Sequence, residues 1–224
     1  MKWPVLVGKI RVQPGAGGYE DWKAPIATDC EGRCVYCSIL EAEYGGIDNF
    51  HIDHFRPKSR FAPLRDIIGN LFLSCAVCNR FKSDDWPAEP LADQSHAGYV
   101  DPGLTDYNQI LAVSGTDFRV RSGQVARRYM IERLYLNRPQ LIRYWRARFL
   151  AKRIGELDDY VQQVLATAQA NPSPELNQLA LYLAGEAIAI GKAFREACAL
   201  PPYQYGETKR PKVKRAGSKR RKKR

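Results

Sequence analysis

The sequence contains no long run of apolar residues, which argues against a membrane-spanning helix. No apolar stretch approaches the roughly 18 residues that such a helix needs. Near the amino terminus, the run Val5-Leu6-Val7 is too short for the core of a secretory signal peptide. We therefore expect a soluble protein of the cytoplasm with no membrane partner.

The glycine-rich segment near the amino terminus also lacks the spacing of a phosphate-binding loop. It reads Pro14-Gly15-Ala16-Gly17-Gly18, with neither a G-x-G-x-x-G pattern nor a Walker lysine. Glycine and proline in such numbers interrupt regular structure. We therefore predict that residues 1–29 form an irregular amino-terminal segment without a nucleotide site.

Acidic residues are missing from the last sixteen positions, which hold eleven Lys or Arg. The whole chain has 35 basic and 24 acidic residues, so the first 208 balance at 24 of each (35 − 11 = 24). Because residues 201–224 also lack the apolar side chains that a core needs, we predict a disordered basic tail there. Such a tail indicates a polyanionic partner, although a solubilising extension or a localisation signal has the same composition.

Charge is also unevenly distributed within the neutral body of the chain. Ten basic residues and a single acid lie between Arg121 and Arg153, and six basic residues and a single acid lie between Arg56 and Lys82. These two zones favour contact with a nucleic-acid backbone. The alternatives are solvated surface charge for the second zone and an acidic partner surface for the first. The predicted contact residues are Arg56, Lys58, Lys82, Arg127, Arg128, Arg143 and Arg146.

Four of the six cysteines occur as two C-x-x-C pairs, Cys34 with Cys37 and Cys75 with Cys78, separated by 37 residues. Two such pairs are typical of a structural zinc site, since each tight turn supplies two of the four tetrahedral ligands. Disulfides would need an oxidising compartment, to which nothing in the sequence directs the chain. Cys30 and Cys198 are left over, and Cys198 falls on an apolar helical stripe that predicts a core position.

The rest of the pattern predicts strands around the cysteines and helices after them. Strands are expected at residues 47–54 and 71–73, and a short helix is expected to open at Asn79. A hairpin near residues 113–121 should precede the helices, one of which begins at Pro139. Breaks near residues 137 and 171–174 separate these helices, and Trp145 and Phe149 should lie in their core. The fold class is therefore α+β, with residues 30–100 as the metal-binding core and residues 101–200 as a hairpin and α-helical region.

Between the cysteine pairs and directly after the second pair lie residues suited to metal-assisted hydrolysis of a phosphodiester. Such hydrolysis needs a base to activate water, and histidine, here His54, has a pKa near neutrality. It also needs a cation, and a carboxylate such as Asp53 with an amide oxygen such as that of Asn79 suits Mg²⁺. Strand alternation would place Asp53 and His54 on opposite faces, so this reading requires the strand to bend or end there. His51 is expected to be an ordinary exposed histidine.

These residues resemble the HNH nuclease superfamily, whose core is a ββα-metal (His-Me) finger. Asp53-His54 with Pro57 matches the first block, Asn70 the central asparagine, and the segment from Cys75 to Lys82 the last block. The resemblance implies that His54 is the general base and that Asn70 fixes the loop carrying it. It also implies that Asp53 and Asn79 hold a catalytic Mg²⁺ or Mn²⁺. Asn79 stands where many members have a histidine, and the four zinc ligands would be Cys34, Cys37, Cys75 and Cys78.

A narrower resemblance, over roughly residues 30–150, is to the HNH effectors of Septu and retron-associated anti-phage systems. It depends on the segments 34–37, 53–59 and 70–82, with Asp53 standing where those effectors usually have Glu. It implies a defence nuclease that cleaves DNA beside an ATPase partner. Two other functions fit the same residues: an HNH nuclease that cleaves RNA, and a non-catalytic zinc module that binds nucleic acid or a partner.

Overall fold

The computed structural model describes residues 2–91 and 93–199, so the predicted basic tail at residues 201–224 lies outside the described part of the chain. The described residues form two compact units, residues 2–138 and residues 139–199. Both helices and small β-sheets are present, which confirms the prediction of a mixed α and β structure. The first unit combines the amino-terminal segment and the predicted core with residues 101–138.

The centre of the first unit is an antiparallel pair of five-residue strands. Strand β1 spans Phe50–His54 and strand β2 spans Leu71–Cys75, with Phe50 opposite Cys75 and His54 opposite Leu71. Every residue of β2 is buried, as its sequence LFLSC suggests. The predicted strand was three residues too long at its start, because Ile47–Asn49 form a turn of 3-10 helix.

Helices pack against this pair of strands. Helix α1, Lys23–Asp29, and helix α2, Ala76–Lys82, both contact β1 and β2. Helix α2 follows β2 without a loop, so it begins three residues earlier than the predicted start at Asn79. Lys82, the last residue of α2, donates a hydrogen bond to the His54 carbonyl oxygen, so the end of α2 lies beside the end of β1.

The remainder of the first unit contains two further helices and a short pair of strands. Helix α3 spans Tyr107–Ile110, strands β3 and β4 span Ala112–Val113 and Val120–Arg121, and helix α4 spans Val125–Arg133. The buried carboxylate of Asp85 accepts hydrogen bonds from the hydroxyls of Tyr99 and Tyr129 and from Nε of Arg133. This network ties helix α4 to the chain just after α2.

The second unit is a hairpin of two long helices, α5 at Pro139–Ala170 and α6 at Pro174–Cys198. The Ser173 hydroxyl caps α6 by accepting a hydrogen bond from Leu176 N at 3.1 Å. Trp145 is buried as predicted. The core predictions for Phe149 and Cys198 are wrong, because Phe149 is 43% exposed and Cys198 is also exposed. Helical spacing shows which residues share one face of a helix, but it does not show how much of that face is buried against other parts of the protein.

Among the described residues, no helix combines the length and the apolar character needed to cross a lipid bilayer.

Candidate active site

The four paired cysteines converge on one point in the first unit. The four Sγ atoms all lie within 4.8 Å of one another, all four residues are buried, and the Cys37 and Cys75 sulfurs are 3.7 Å apart. A tetrahedral zinc ion with Zn–S bonds of about 2.3 Å requires S···S distances of about 3.8 Å. The cluster therefore fits a zinc ion, as the spacing predicted.

Backbone hydrogen bonds bring the two pairs together. The first pair lies in a tight turn in which Ser38 N donates to Cys34 O at 2.8 Å, and Val35 N donates to Leu73 O at 2.9 Å. The second pair lies at the end of β2 and the start of α2. The hydrogen bond from Val35 therefore attaches the first cysteine turn to β2. A zinc ion shared by the two pairs would in addition link that turn to the beginning of α2.

Cys30 lies outside this cluster. Its sulfur accepts a hydrogen bond from Leu73 N at 3.4 Å, and burial raises the pKa of its thiol to about 11. The cluster contains Cys34 and not Cys30, as the C-x-x-C spacing predicted.

Arg138 completes the surroundings of the four sulfurs. One guanidinium nitrogen lies 3.5 Å from the Cys37 sulfur, and both terminal nitrogens lie within 3.9 Å of the Cys78 sulfur. Burial opposes ionisation of Cys37, but hydrogen bonds from the other three cysteines and the charge of Arg138 hold its pKa well below the ordinary value. Four thiolates around Zn²⁺ would carry two excess negative charges, and the buried Arg138 guanidinium offsets one of them.

A cleft of about 420 Å³ opens beside the end of β1. Strand β1 ends at His54, so Asp53 and His54 both reach this cleft although they alternate along the strand. The predicted chemistry required the strand to bend or end at this pair of residues, and it ends at His54. The lining residues are Tyr19, Ile52, Asp53, His54, Pro57, Lys58, Ser59, Asn79, Arg80, Ser83 and Asp84.

His54 is held by one ring nitrogen. Its Nε2 lies 3.0 Å from the Arg65 carbonyl oxygen, which only accepts hydrogen bonds, so we assign the proton to Nε2. Nδ1 then carries the lone pair in the neutral ring. Burial lowers the pKa of His54, and the charge of Lys58 lowers it further. The hydrogen bond to the Arg65 carbonyl raises this pKa but does not outweigh burial. The ring is thus prepared to accept a proton at Nδ1.

Asp53 is buried in a network that leaves part of its carboxylate available. The Tyr36 hydroxyl donates to Oδ2 at 2.6 Å, and Lys82 Nζ lies 3.2 Å from Oδ2 and 3.3 Å from Oδ1. Oδ2 accepts one hydrogen bond, from Tyr36, and Oδ1 accepts one, from Lys82. Because each carboxylate oxygen has about two lone-pair sites, each keeps one that a divalent ion could use.

The prediction that Lys82 contacts phosphates is wrong. Its side chain is 0% exposed, and besides Asp53 it donates to the His54 carbonyl oxygen at 2.6 Å. The cation lies inside the protein because helix α2 turns this residue toward the end of β1. Its charge offsets that of Asp53 and is not available to a ligand at the surface.

Asn70 supports the loop between the strands. Its Oδ1 accepts from Arg56 N at 2.7 Å, and its Nδ2 donates to the carbonyl oxygens of Arg56 at 3.0 Å and Leu64 at 3.1 Å. Leu64 precedes Arg65, whose carbonyl holds His54. Asn70 is therefore a positioning residue that acts on the base through the backbone.

Asn79 lies on helix α2 in the wall of the cleft and is half-buried. Among the described residues, its side chain has no hydrogen-bond partner, so the amide oxygen is open to a ligand. Carboxylate and amide oxygens such as those of Asp53 and Asn79 are the hard donors that Mg²⁺ and Mn²⁺ prefer. Both residues line the cleft, so they are the residues there that could hold a divalent ion.

The other basic residues predicted to contact nucleic acid lie in three places: near the cleft, on helix α4 and in the second unit. Lys58 is exposed at the rim of the cleft, whereas Arg56 pairs with Glu89 at 3.0 Å and with Asp101 at 3.7 Å and does not line it. On α4, Arg127 bonds to Gln94 and Arg128 is exposed. In the second unit, Arg143 is half-buried and Arg146 is exposed. His51 is exposed, as expected.

Four residues of these sites were not singled out from the sequence. Tyr36 holds Asp53, Arg138 contacts the zinc cluster, and Tyr19 and Arg80 line the cleft. Arg80 was within reach of sequence reasoning, since it directly follows Asn79. Tyr36 lies inside the first cysteine turn, but nothing in the pattern indicated the direction of its side chain.

In a comparison with known families, residues 34–85 match the family model of HNH endonuclease. The matched segment holds the four cysteines, Asp53, His54, Asn70 and Asn79, which supports the HNH superfamily and a nuclease-type function. No curated protein and no solved structure matches the chain.

Proposed function

We propose that this protein is a metal-dependent endonuclease that hydrolyses phosphodiester bonds of DNA. The observation that carries the proposal is that His54, with Nδ1 left as the basic nitrogen, shares one cleft with Asp53 and Asn79. A base and two oxygen ligands in one cleft are the groups that hydrolysis of a phosphodiester needs.

Each residue has a defined part in this mechanism. His54 Nδ1 takes the proton of the attacking water, and the Arg65 carbonyl stabilises the imidazolium that results. Asp53 and Asn79 would hold the divalent ion, which would supply positive charge to offset the charge that develops on the phosphate and the leaving oxygen. Lys58 and Arg80, at the cleft rim, bind phosphate oxygens of the substrate.

DNA is preferred over RNA on the strength of the resemblance to DNA-cleaving effectors. The same resemblance supports a role in anti-phage defence beside an ATPase partner. Thiolate ligands for zinc require a reducing compartment, so we propose that the protein acts in the cytoplasm. Loss of phage protection in cells carrying the His54→Ala protein would test this setting.

The proposal is tested by incubating supercoiled plasmid with the zinc-loaded protein and Mg²⁺ or Mn²⁺. We expect nicking or linearisation that EDTA abolishes and that His54→Ala lowers by at least about 100-fold. His51→Ala is the matched control, since His51 is exposed on the same strand, and it should cleave normally. Cleavage by His54→Ala at the wild-type rate would contradict the mechanism.

Two rival functions give different results in the same assay. A protein that cleaves a single-stranded or duplex RNA but leaves the plasmid intact would be the RNA nuclease. A protein that binds DNA with either metal but cuts neither nucleic acid would be the non-catalytic zinc module.

A further inference from the structure

The amino-terminal segment reaches the cleft although it lies outside residues 34–85. Gln13 bonds to the Asp66 carbonyl and to Ile68 N, both at 2.9 Å, and Tyr19 N donates to the Asp66 carboxylate at 2.9 Å. These three bonds fix the segment to the loop that carries Arg65. The loop that holds the base is therefore supported from both sides, by Asn70 and by the amino-terminal segment.

Tyr19 projects from this segment into the cleft wall. Its ring meets the His54 ring edge-on, with centroids 4.6 Å apart and planes at 74°. Lys58 Nζ donates to the Tyr19 hydroxyl at 2.5 Å, and Arg65 lies over the ring at 5.3 Å. One aromatic side chain therefore contacts the base and two cations.

We propose that Tyr19 is a substrate-binding residue whose hydroxyl, together with Lys58, binds a phosphate of the nucleic acid beside the scissile bond, and whose ring fixes His54. This inference deepens the proposed function and rests on it. It assigns the amino-terminal segment, which lies outside the HNH match at residues 34–85, to the same site.

The hydrogen-bond inventory supports the hydroxyl's role. An ammonium has only donors, so the Tyr19 oxygen accepts from Lys58 and keeps its own proton for another acceptor. Among the described residues, no acceptor takes that proton. A hydroxyl next to a cation, both at the rim of a cleft, suits a phosphate oxygen, which accepts both.

The ring's role follows from packing. Within the described part of the chain, the His54 ring is hydrogen-bonded at Nε2 only, so rotation about that bond must be limited by neighbouring atoms. The Tyr19 ring edge supplies such a contact at the separation expected for aromatic pairs. Removal of the ring should therefore misplace Nδ1, whereas removal of the hydroxyl alone should not.

The proposed phosphate contact of the Tyr19 hydroxyl is tested without cleavage, by fluorescence anisotropy of a labelled DNA duplex with His54→Ala protein. We expect Tyr19→Phe in that background to weaken the Kd by about tenfold, as loss of a bond to a charged group predicts. Tyr44→Phe is the control: Tyr44 is half-buried against Phe50, outside the cleft, and should change nothing. Equal Kd values for Tyr19→Phe and its parent would overturn the phosphate contact.

The proposed role of the Tyr19 ring in positioning His54 is tested by cleavage kinetics of proteins that keep His54. Tyr19→Phe should keep kcat within about twofold, whereas Tyr19→Leu should lower kcat by at least about tenfold further. A Tyr19→Leu protein with wild-type kcat would overturn the ring's role. If the wild-type protein binds DNA but does not cleave it, the proposed function fails, and the anisotropy result still decides the phosphate contact.

Discussion

Asp53 is a buried carboxylate whose charge is offset within the protein by Lys82. The pair is almost fully removed from solvent, with side chains 4% and 0% exposed, and Tyr36 donates a further hydrogen bond. Removing one member of a buried ion pair leaves an unpaired charge, which costs far more than the pair contributes. Lys82 therefore has a structural role that limits which substitutions the cleft tolerates.

We expect Lys82→Met to lower the free energy of unfolding by about 3–5 kcal/mol, because it leaves Asp53 buried without its cation. Urea denaturation monitored by tryptophan fluorescence measures this loss. The control Lys2→Met removes a side chain that is 66% exposed and should cost under about 0.5 kcal/mol. Adding Asp53→Asn should recover part of the loss, and an unchanged Lys82→Met midpoint would contradict the buried pair.

Asn70 permits a separate test of positioning. Asn70→Asp keeps the size and one acceptor but cannot donate to the Arg56 and Leu64 carbonyls, so the loop holding His54 should shift. We expect kcat to fall by at least about tenfold with little change in KM. A fall confined to KM would place Asn70 in substrate binding instead.

At the scale of elements, the zinc cluster joins the turn at residues 34–37 to strand β2 and helix α2. Because α2 carries Asn79 and Lys82, the position of the cleft depends on the cluster. Binding of structural zinc contributes directly to folding free energy.

Cys78→Ser should therefore lose bound zinc and the cooperative unfolding transition of the first unit. Zinc content, measured by a colorimetric chelator after denaturation, should be about one ion per chain in the wild type and near zero in this variant. Cys30→Ala is the matched control, since Cys30 is equally buried but outside the cluster, and it should keep its zinc. Zinc retained by Cys78→Ser would refute the four-sulfur site.

Sequence reasoning was most reliable where spacing alone determines geometry. Two C-x-x-C pairs predicted the sulfur cluster, and Pro139 and the break at 171–174 predicted where α5 and α6 begin. The spacing of residues in the sequence did not predict the direction in which a single side chain points. Lys82 was taken for a surface cation because its burial depends on how α2 packs against β1.

Contacts between distant segments were also out of reach. Tyr19 meets His54 across 35 positions (54 − 19), and Arg138 meets the Cys37 sulfur across 101. Neither residue has a local pattern that marks it. Only the packing of the amino-terminal segment and of the chain before α5 against the core brings them to their sites.

At the scale of the whole molecule, net positive charge favours nucleic acid, but local pairing decides which charges a ligand can meet. Arg56 is paired with Glu89 and Asp101, whereas Arg80 is exposed at the cleft rim. Each phosphate contact made by a cation steepens the salt dependence of binding.

Arg80→Ala in the His54→Ala background should therefore reduce the slope of log Kd against log salt concentration by about one. Fluorescence anisotropy over a series of salt concentrations measures this slope. Lys9→Ala, at a residue outside the cleft that bonds to the Asp29 carbonyl, is the control and should leave it unchanged. An equal effect of the two variants would mean that the cleft rim has no particular role in binding.

The most direct test of the site is isothermal titration of Mn²⁺ into the zinc-loaded protein. We expect one ion per chain to bind to the wild type and to His54→Ala, with binding weakened at least about tenfold by Asp53→Asn or Asn79→Ala. Wild-type affinity in both of these variants would contradict a catalytic ion held between Asp53 and Asn79 beside His54.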